Sequence, residues 1–244
     1  MHIICGIVLK IAGGERIMIK FITGFIRKYP HALLLLYWPL YGLVFELLEW
    51  FVHPPSYHVM YCALDDYIPF AEIFIIPYYY WFVGLIWLHV YTLFKEPEVF
   101  RKLMYFVIIT QTTALIMFMV YPSMQLLRPE VLPRDNIFTE MVSHIYAIDT
   151  NTNVCPSLHV IGGMGVWFAS LQCKAFRSVP WRIFHAVSSI LVCISTVFLK
   201  QHSFVDIPAA LIVCAVAYPL SFGKLGERLR LMFRRKKSKR ISVQ

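Results

Sequence analysis

Six apolar runs, each long enough to cross a bilayer, limit what this chain can fold into more than any other feature. They fall at about 31–52, 69–94, 101–121, 157–173, 183–200 and 205–222, and a spanning helix needs roughly 17–25 mostly apolar residues. Inside hydrocarbon every backbone N–H and C=O must find its partner within the protein, so an open sheet is excluded and the runs read as helices. Composition agrees: 59% of residues are apolar and 15% charged, against about half and a quarter in a soluble domain. The expectation is an all-α polytopic membrane protein with six transmembrane helices in a bundle over residues 31–222. A segment 1–30 precedes the bundle and a basic tail 223–244 follows it.

The charges orient these runs. Of 23 Lys and Arg residues, five precede the first run, three lie in 95–102, three in 174–182 and nine after 222. The alternate loops hold only Arg128, Arg134 and Lys200. Cytoplasmic loops carry the excess of Lys and Arg, so both termini are expected in the cytoplasm and the long 122–155 loop on the outer side. The net charge of +9 is concentrated in Arg234, Arg235, Lys236, Lys237, Lys239 and Arg240. A juxtamembrane cluster of this kind reads as a contact with anionic lipid headgroups. No base-reading module accompanies it, so no nucleic acid partner is expected.

Six cysteines do not form a disulfide framework. Cys173, Cys193 and Cys214 sit in or beside the apolar runs as small fillers, while Cys62 and Cys155 share the outer side, where a bridge is open. The apolar stretch Ile3 to Leu9 lacks the small-residue cleavage site of a signal peptide. Met18 stands as an alternative start to Met1.

Chemistry-bearing residues gather on the outer side. The long loop carries Arg128-Pro129, Arg134, Asp135, Glu140, His144 and Asp149, and it ends at Cys155-Pro156-Ser157-Leu158-His159, where the fourth run begins. A helix start presents free N–H groups and the positive end of the helix dipole, which suits an anion. Ser157 can cap that helix or offer its hydroxyl to a phosphate. His202 and Asp206 are four residues apart at the opening of the sixth run, a spacing that puts them on one face. The carboxylate can then hold one imidazole nitrogen and leave the other as an oriented lone pair. Taken singly, His159 reads as a packed side chain and Ser157 as a cap. Their order, spacing and common side make a set, and ionisable groups within membrane segments are a functional-site hypothesis by default. Glu46 and Glu49 read as interface carboxylates with hydrogen-bond partners, and Asp65 and Asp66 as solvated loop charges.

On these residues the chain resembles the lipid phosphate phosphatase (type 2 phosphatidic acid phosphatase) superfamily, whose motifs run Lys-x6-Arg-Pro, Pro-Ser-Gly-His and Ser-Arg-x5-His-x3-Asp on a six-helix membrane core. The second motif stands here as Pro156-Ser157-Leu158-His159. The third stands as Ser195-Thr196, five residues, His202, three residues, Asp206. The first survives as Arg128-Pro129, with Tyr121 at the lysine position. The resemblance implies a phosphoesterase acting on a lipid phosphate at the extracytoplasmic face of the cell membrane. In that scheme His202 is the nucleophile that becomes phosphohistidine, Asp206 orients it, and His159 is the general acid. Arg128, Ser157, Ser195 and Lys200 would bind phosphate, and no metal or other cofactor is expected. An imidazole with a pKa near about 6.5 can serve in either role.

Tyr121 and Thr196 replace two of the three cations with which the family's phosphatases hold a dianion, and a site with fewer cations suits a singly charged phosphodiester better. With Leu158 in place of glycine, this resembles the inositol phosphorylceramide synthase and sphingomyelin synthase branch, which transfers a phospholipid headgroup to a lipid alcohol. The segment from Ile68-Pro69-Phe70 to Tyr78-Tyr79-Tyr80-Trp81 also looks like that wider group, and an aromatic belt explains it nearly as well. A non-catalytic transporter or scaffold, with His159, His202 and Asp206 as a polar network or zinc ligands, is the alternative of a different class. His-Glu-x-x-His and Gly-x-Ser-x-Gly are both absent, so neither a zinc metalloprotease nor an α/β-hydrolase is favoured.

Overall fold

The computed structural model of the protein describes residues 22–52 and 54–228, together with residue 20. Met18 and the basic cluster at 234–240 lie outside the described residues. The described chain is mostly helical. A 3-10 segment Pro30–Leu36 leads into α1 (Tyr37–Phe51). Then come α2 (Ile75–Lys95), α3 (Pro97–Val120), α4 (Ile137–Ile148), α5 (Leu158–Gln172), α6 (Val179–Phe198) and α7 (Asp206–Ser221). Two parallel two-residue strands, β1 (His58–Val59) and β2 (Ser123–Met124), tie the connection after α1 to the connection after α3.

Each of the six apolar runs contains a helix, but they are not equivalent. Four segments are long and apolar enough to cross a membrane: Pro30–Phe51, Glu72–Lys95, Pro97–Val120 and Val179–Phe198. The other two, α5 and α7, have 15 and 16 residues and reach only about 23–24 Å at 1.5 Å per residue, short of a hydrocarbon core of about 30 Å. Position explains α5, which packs against α2, α3, α6 and α7 at once and is therefore walled by protein along most of its length.

Lipid gives helices no hydrophobic reason to associate, so close approach over small residues does the packing. On α5 these are Gly162, Gly163 and Gly165. A Cβ at Gly165 would lie 3.2 Å from the ring of Phe106 on α3, and one at Gly162 would lie 2.3 Å from Nε1 of Trp81 on α2. Ser189 on α6 donates its hydroxyl to the Gly163 carbonyl at 2.8 Å, a polar tie between the two helices. Below these contacts Leu88, Leu103, Phe106, Ile161, Ala210 and Cys214 form the main apolar core.

The 122–155 connection is not a plain loop. It contains α4, which is started by a reciprocal capping box: Asn136 Oδ1 accepts from the N–H groups of Phe138 and Thr139, and Thr139 Oγ1 accepts from the Asn136 N–H. Such a cap satisfies helix donors that would otherwise lack partners. Glu72, at the head of the α2 segment, receives Nε and Nη2 of Arg134, each at 2.6 Å, and the Asn136 side-chain amide at 3.1 Å. This fixes the start of α4 to the start of α2.

Candidate functional site

Where α6 ends, the chain reverses over Leu199–His202. The Lys200 N–H donates to the Val197 carbonyl at 3.2 Å and the Gln201 N–H to the Thr196 carbonyl at 2.9 Å. Lys200 has a positive φ of 52°. These two bonds around a left-handed residue make a Schellman closure, usually built with glycine. The His202 N–H also reaches the Thr196 carbonyl, at 3.1 Å, so the nucleophile candidate is held by main chain before its side chain makes any contact.

Four residues on, Asp206 opens α7. Its Oδ2 accepts from His202 Nδ1 at 3.1 Å and from the Ser203 N–H at 3.1 Å. Asp206 is fully buried and His202 is 7% exposed. With Nδ1 on the carboxylate, Nε2 carries the free lone pair. The start of α5 meets the same turn, because the Ser157 N–H donates to the Asp206 carbonyl at 3.4 Å. His159 follows on α5 with its ring centroid 5.7 Å from that of His202. His159 lies against Tyr78 and Trp81 of α2, at centroid distances of 4.4 and 4.6 Å. Tyr78 and Trp81 are three apart and share a helical face. Gly162, three residues past His159, leaves the indole its room. The structure thus brings together His159, His202, Asp206 and Ser157.

The other expected phosphate ligands are engaged elsewhere. Arg128 Nη1 donates to the Tyr146 carbonyl, and Nη2 to the carbonyls of Asp149 and Thr150 and to Gln201 Oε1. Its guanidinium also lies over the Tyr146 ring. Lys200 Nζ donates to the carbonyls of Asp65 and Ile68. The Ser195 hydroxyl is spent on the Val192 carbonyl within α6, and Thr196 Oγ1 on the Cys193 carbonyl. Ser157 Oγ accepts from the Val160 N–H at 3.5 Å, the geometry of a helix cap. Tyr121, at the lysine position of the first motif, stacks face to face on His58 with centroids 4.0 Å apart.

Asp65 corrects the sequence reading, which took it as a solvated charge. It is only 3% exposed. Its Oδ1 accepts from the Phe204 N–H at 2.8 Å, and its Oδ2 from the Cys62 N–H at 2.8 Å and the Ser203 hydroxyl. Removing three donors from water is tolerable only because the carboxylate meets them all, and the effect is to pin the turn that carries His202 and Asp206. Asp66 stays exposed and accepts from Tyr61. Glu49 accepts from Thr150, Thr152 and Asn153, so it has the hydrogen-bond partners expected of it. Glu46 and His144 are exposed. Cys62 and Cys155 are free thiols. Burial, with the Asp206 carboxylate beside it, pushes the Cys155 thiol up to about 12.

Sequence reasoning also missed the ring wall and the polar bridge beside it. Asp149 Oδ2 accepts from the Tyr78 hydroxyl at 3.3 Å and from the Gln201 side-chain amide at 3.4 Å, and Gln201 also reaches the Tyr78 hydroxyl at 3.4 Å. Only the place of Gln201 next to His202 hints at this in the sequence. Among the described residues no group of three His, Cys, Asp or Glu side chains is arranged to hold a metal ion.

Fold and site together define a helical bundle of membrane character with a paired-imidazole centre at one end. Comparison with protein-family models, with curated proteins and with solved structures returns no match.

Proposed function

We propose that the protein is an integral-membrane phosphoesterase that acts on a lipid phosphate through a phosphohistidine. More particularly, its chemistry is that of the type 2 phosphatidic acid phosphatases that the motifs resemble. The observation carrying this reading is the His202–Asp206 hydrogen bond with the His159 ring 5.7 Å from His202. In the first half-reaction His202 Nε2 attacks phosphorus, the bond to the leaving oxygen breaks, and His159 gives that oxygen its proton. Asp206 holds the His202 tautomer and stabilises the positive charge that develops on its ring. In the second half an acceptor hydroxyl releases the phosphoryl group from nitrogen.

A second outcome, transfer of a phospholipid headgroup to a lipid alcohol, draws on a separate observation. Arg128 and Lys200 are committed to carbonyl and amide oxygens, which leaves few cations for a phosphomonoester dianion. Six spans, cytoplasmic termini and a centre facing outward from the cell membrane complete the proposal, with Lys and Arg asymmetry as its basis. The short α5 fits it as a helix enclosed by its neighbours.

The test uses purified full-length protein in proteoliposomes with lipids labelled separately in phosphate and in headgroup. Free phosphate identifies a phosphatase, and label on a new lipid identifies a transferase. If no lipid loses either label, and His202→Ala behaves as the parent does, the proposal is wrong.

A further inference from the structure

Asp149 is the carboxylate around the two histidines that the reaction as described leaves unused. It follows α4 directly and stays open to solvent, while neighbouring groups engage one side of its carboxylate. Tyr78 on α2 and Gln201 in the turn after α6 donate to its Oδ2. His202, Arg128 and Glu49 act on it electrostatically, the first two favouring its charge and Glu49 opposing it. Arg128 also grips its main-chain carbonyl, so the backbone at 149 is anchored. Oδ1 has no hydrogen-bond partner among the described residues, and it is the oxygen left to meet something arriving from outside.

His159 is set differently. Its ring is pressed against Tyr78 and Trp81 and is 8% exposed. A group in that position can protonate a leaving oxygen lodged in the site. The exposed carboxylate of Asp149 is open to an acceptor hydroxyl. The Tyr78 side chain joins the two residues, with its ring on His159 and its hydroxyl on Asp149.

We propose that Asp149 is the general base of the second half-reaction, a role that rests on the phosphohistidine reading above. The acceptor, water or the hydroxyl of a lipid alcohol, places its O–H on Asp149 Oδ1 while its oxygen attacks phosphorus. The new P–O bond forms as the bond from phosphorus to His202 Nε2 breaks. The electron pair of the broken bond returns to the imidazole, and the acceptor proton passes to Asp149. Charge and atoms balance without any further reactant. Division of labour follows: His159 serves leaving-group departure and Asp149 serves acceptor attack.

The experiment is rapid-quench turnover of dioctanoyl phosphatidic acid and dioctanoyl phosphatidylinositol by full-length wild type and Asp149→Asn, in micelles with chelator present. Leaving-group release and protein-bound phosphorus are both recorded. Asp149→Asn keeps the wild-type burst of leaving group, loses about 10²-fold in steady turnover, as removal of a general base does, and accumulates phosphohistidine. Hydroxylamine, which attacks without base assistance, then restores breakdown of the intermediate. The intact burst shows that the variant is folded. Equal loss of burst and turnover, unchanged turnover, or failure of hydroxylamine to rescue each overturns the role of Asp149 and leaves the phosphohistidine reading standing. A wild type that forms no protein-bound phosphorus overturns the phosphohistidine reading itself, and the role of Asp149 with it.

Discussion

His185, in the first half of α6, and His202, in the turn that follows α6, are both buried, and they are different kinds of residue. His185 is fully buried among Trp87, Phe176, Trp181 and Phe184, and neither ring nitrogen has a hydrogen-bond partner among the described residues. His202 is almost as deeply set, but a carboxylate holds one nitrogen and a second imidazole lies 5.7 Å away. Burial alone therefore does not mark a reactive histidine. In the proposed chemistry orientation by a charged partner is what sets His202 apart, because it fixes the tautomer and would give a developing imidazolium its counter-charge. His185 is packing material with an unused polar edge.

The contrast breaks most sharply on substitution. His202→Ala should abolish turnover, a loss of about 10⁴-fold or more for a covalent nucleophile, and, because it leaves the buried Asp206 without its imidazole partner, it should also lower the thermal midpoint; turnover assayed with labelled lipid decides the first and a melting curve the second. Asp206→Asn should lower turnover by about 10³–10⁴-fold, since an amide there favours the wrong tautomer; a loss under tenfold would detach the carboxylate from the mechanism. Asp65→Ala acts on position instead of chemistry. It strands the Phe204 N–H and Ser203 hydroxyl and should destabilise the fold by about 2–4 kcal/mol, as loss of a buried charged acceptor does, with turnover falling alongside. A melting midpoint equal to wild type would show that the turn stands without it.

His185→Phe should change almost nothing, because replacing an unpaired polar edge with an apolar ring of similar shape is close to neutral, within about 1 kcal/mol. A large loss of activity there would erase the distinction between the two histidines. A pH series sharpens the picture on the site side. Although Asp149 as a whole is exposed, its carboxyl group lies against Tyr78 and Gln201, and this burial raises it above its ordinary value despite the pull of His202 and Arg128. Its ionisation therefore opposes folding: the stabilising state is the protonated one, present at low pH and lost as pH rises through the raised value. Asp149→Asn should consequently melt higher than wild type near neutral pH and converge with it near pH 3, read by melting temperature across that range.

Much of the architecture was legible because a bilayer imposes one long apolar signal per helix, and each of the six runs does hold a helix. The length of α5 was not legible. A helix enclosed by protein need not match the hydrocarbon thickness, and the glycines that let its neighbours close in are ordinary residues in a hydropathy profile. The capping pattern Asn136-Ile137-Phe138-Thr139 stands in the sequence, but its apolar stretch is too short to span a bilayer and gives no hydropathy signal that separates it from a loop. At the site, His202 and Asp206 do meet as their spacing of four suggested, but not on a shared helical face: His202 lies in the turn before α7, and the main-chain bonds of that turn carry its ring to the carboxylate. Asp65 was not readable, since its partners Ser203 and Phe204 are 138 and 139 positions away and two adjacent aspartates in a polar turn carry no local sign of burial. Arg128 was readable as a cation at the right place, but not as one whose N–H groups are taken by the carbonyls of the loop it holds.

The most direct test is to find where phosphorus sits during turnover. Wild-type protein is mixed with lipid labelled in its phosphate, quenched in alkali, where phosphohistidine survives, and digested for mass spectrometry. One phosphorylated peptide is expected, carrying the group on His202, with none from His202→Ala and continued labelling in His185→Phe. Phosphorus on any other residue, or lipid turnover that persists in His202→Ala, would contradict that expectation.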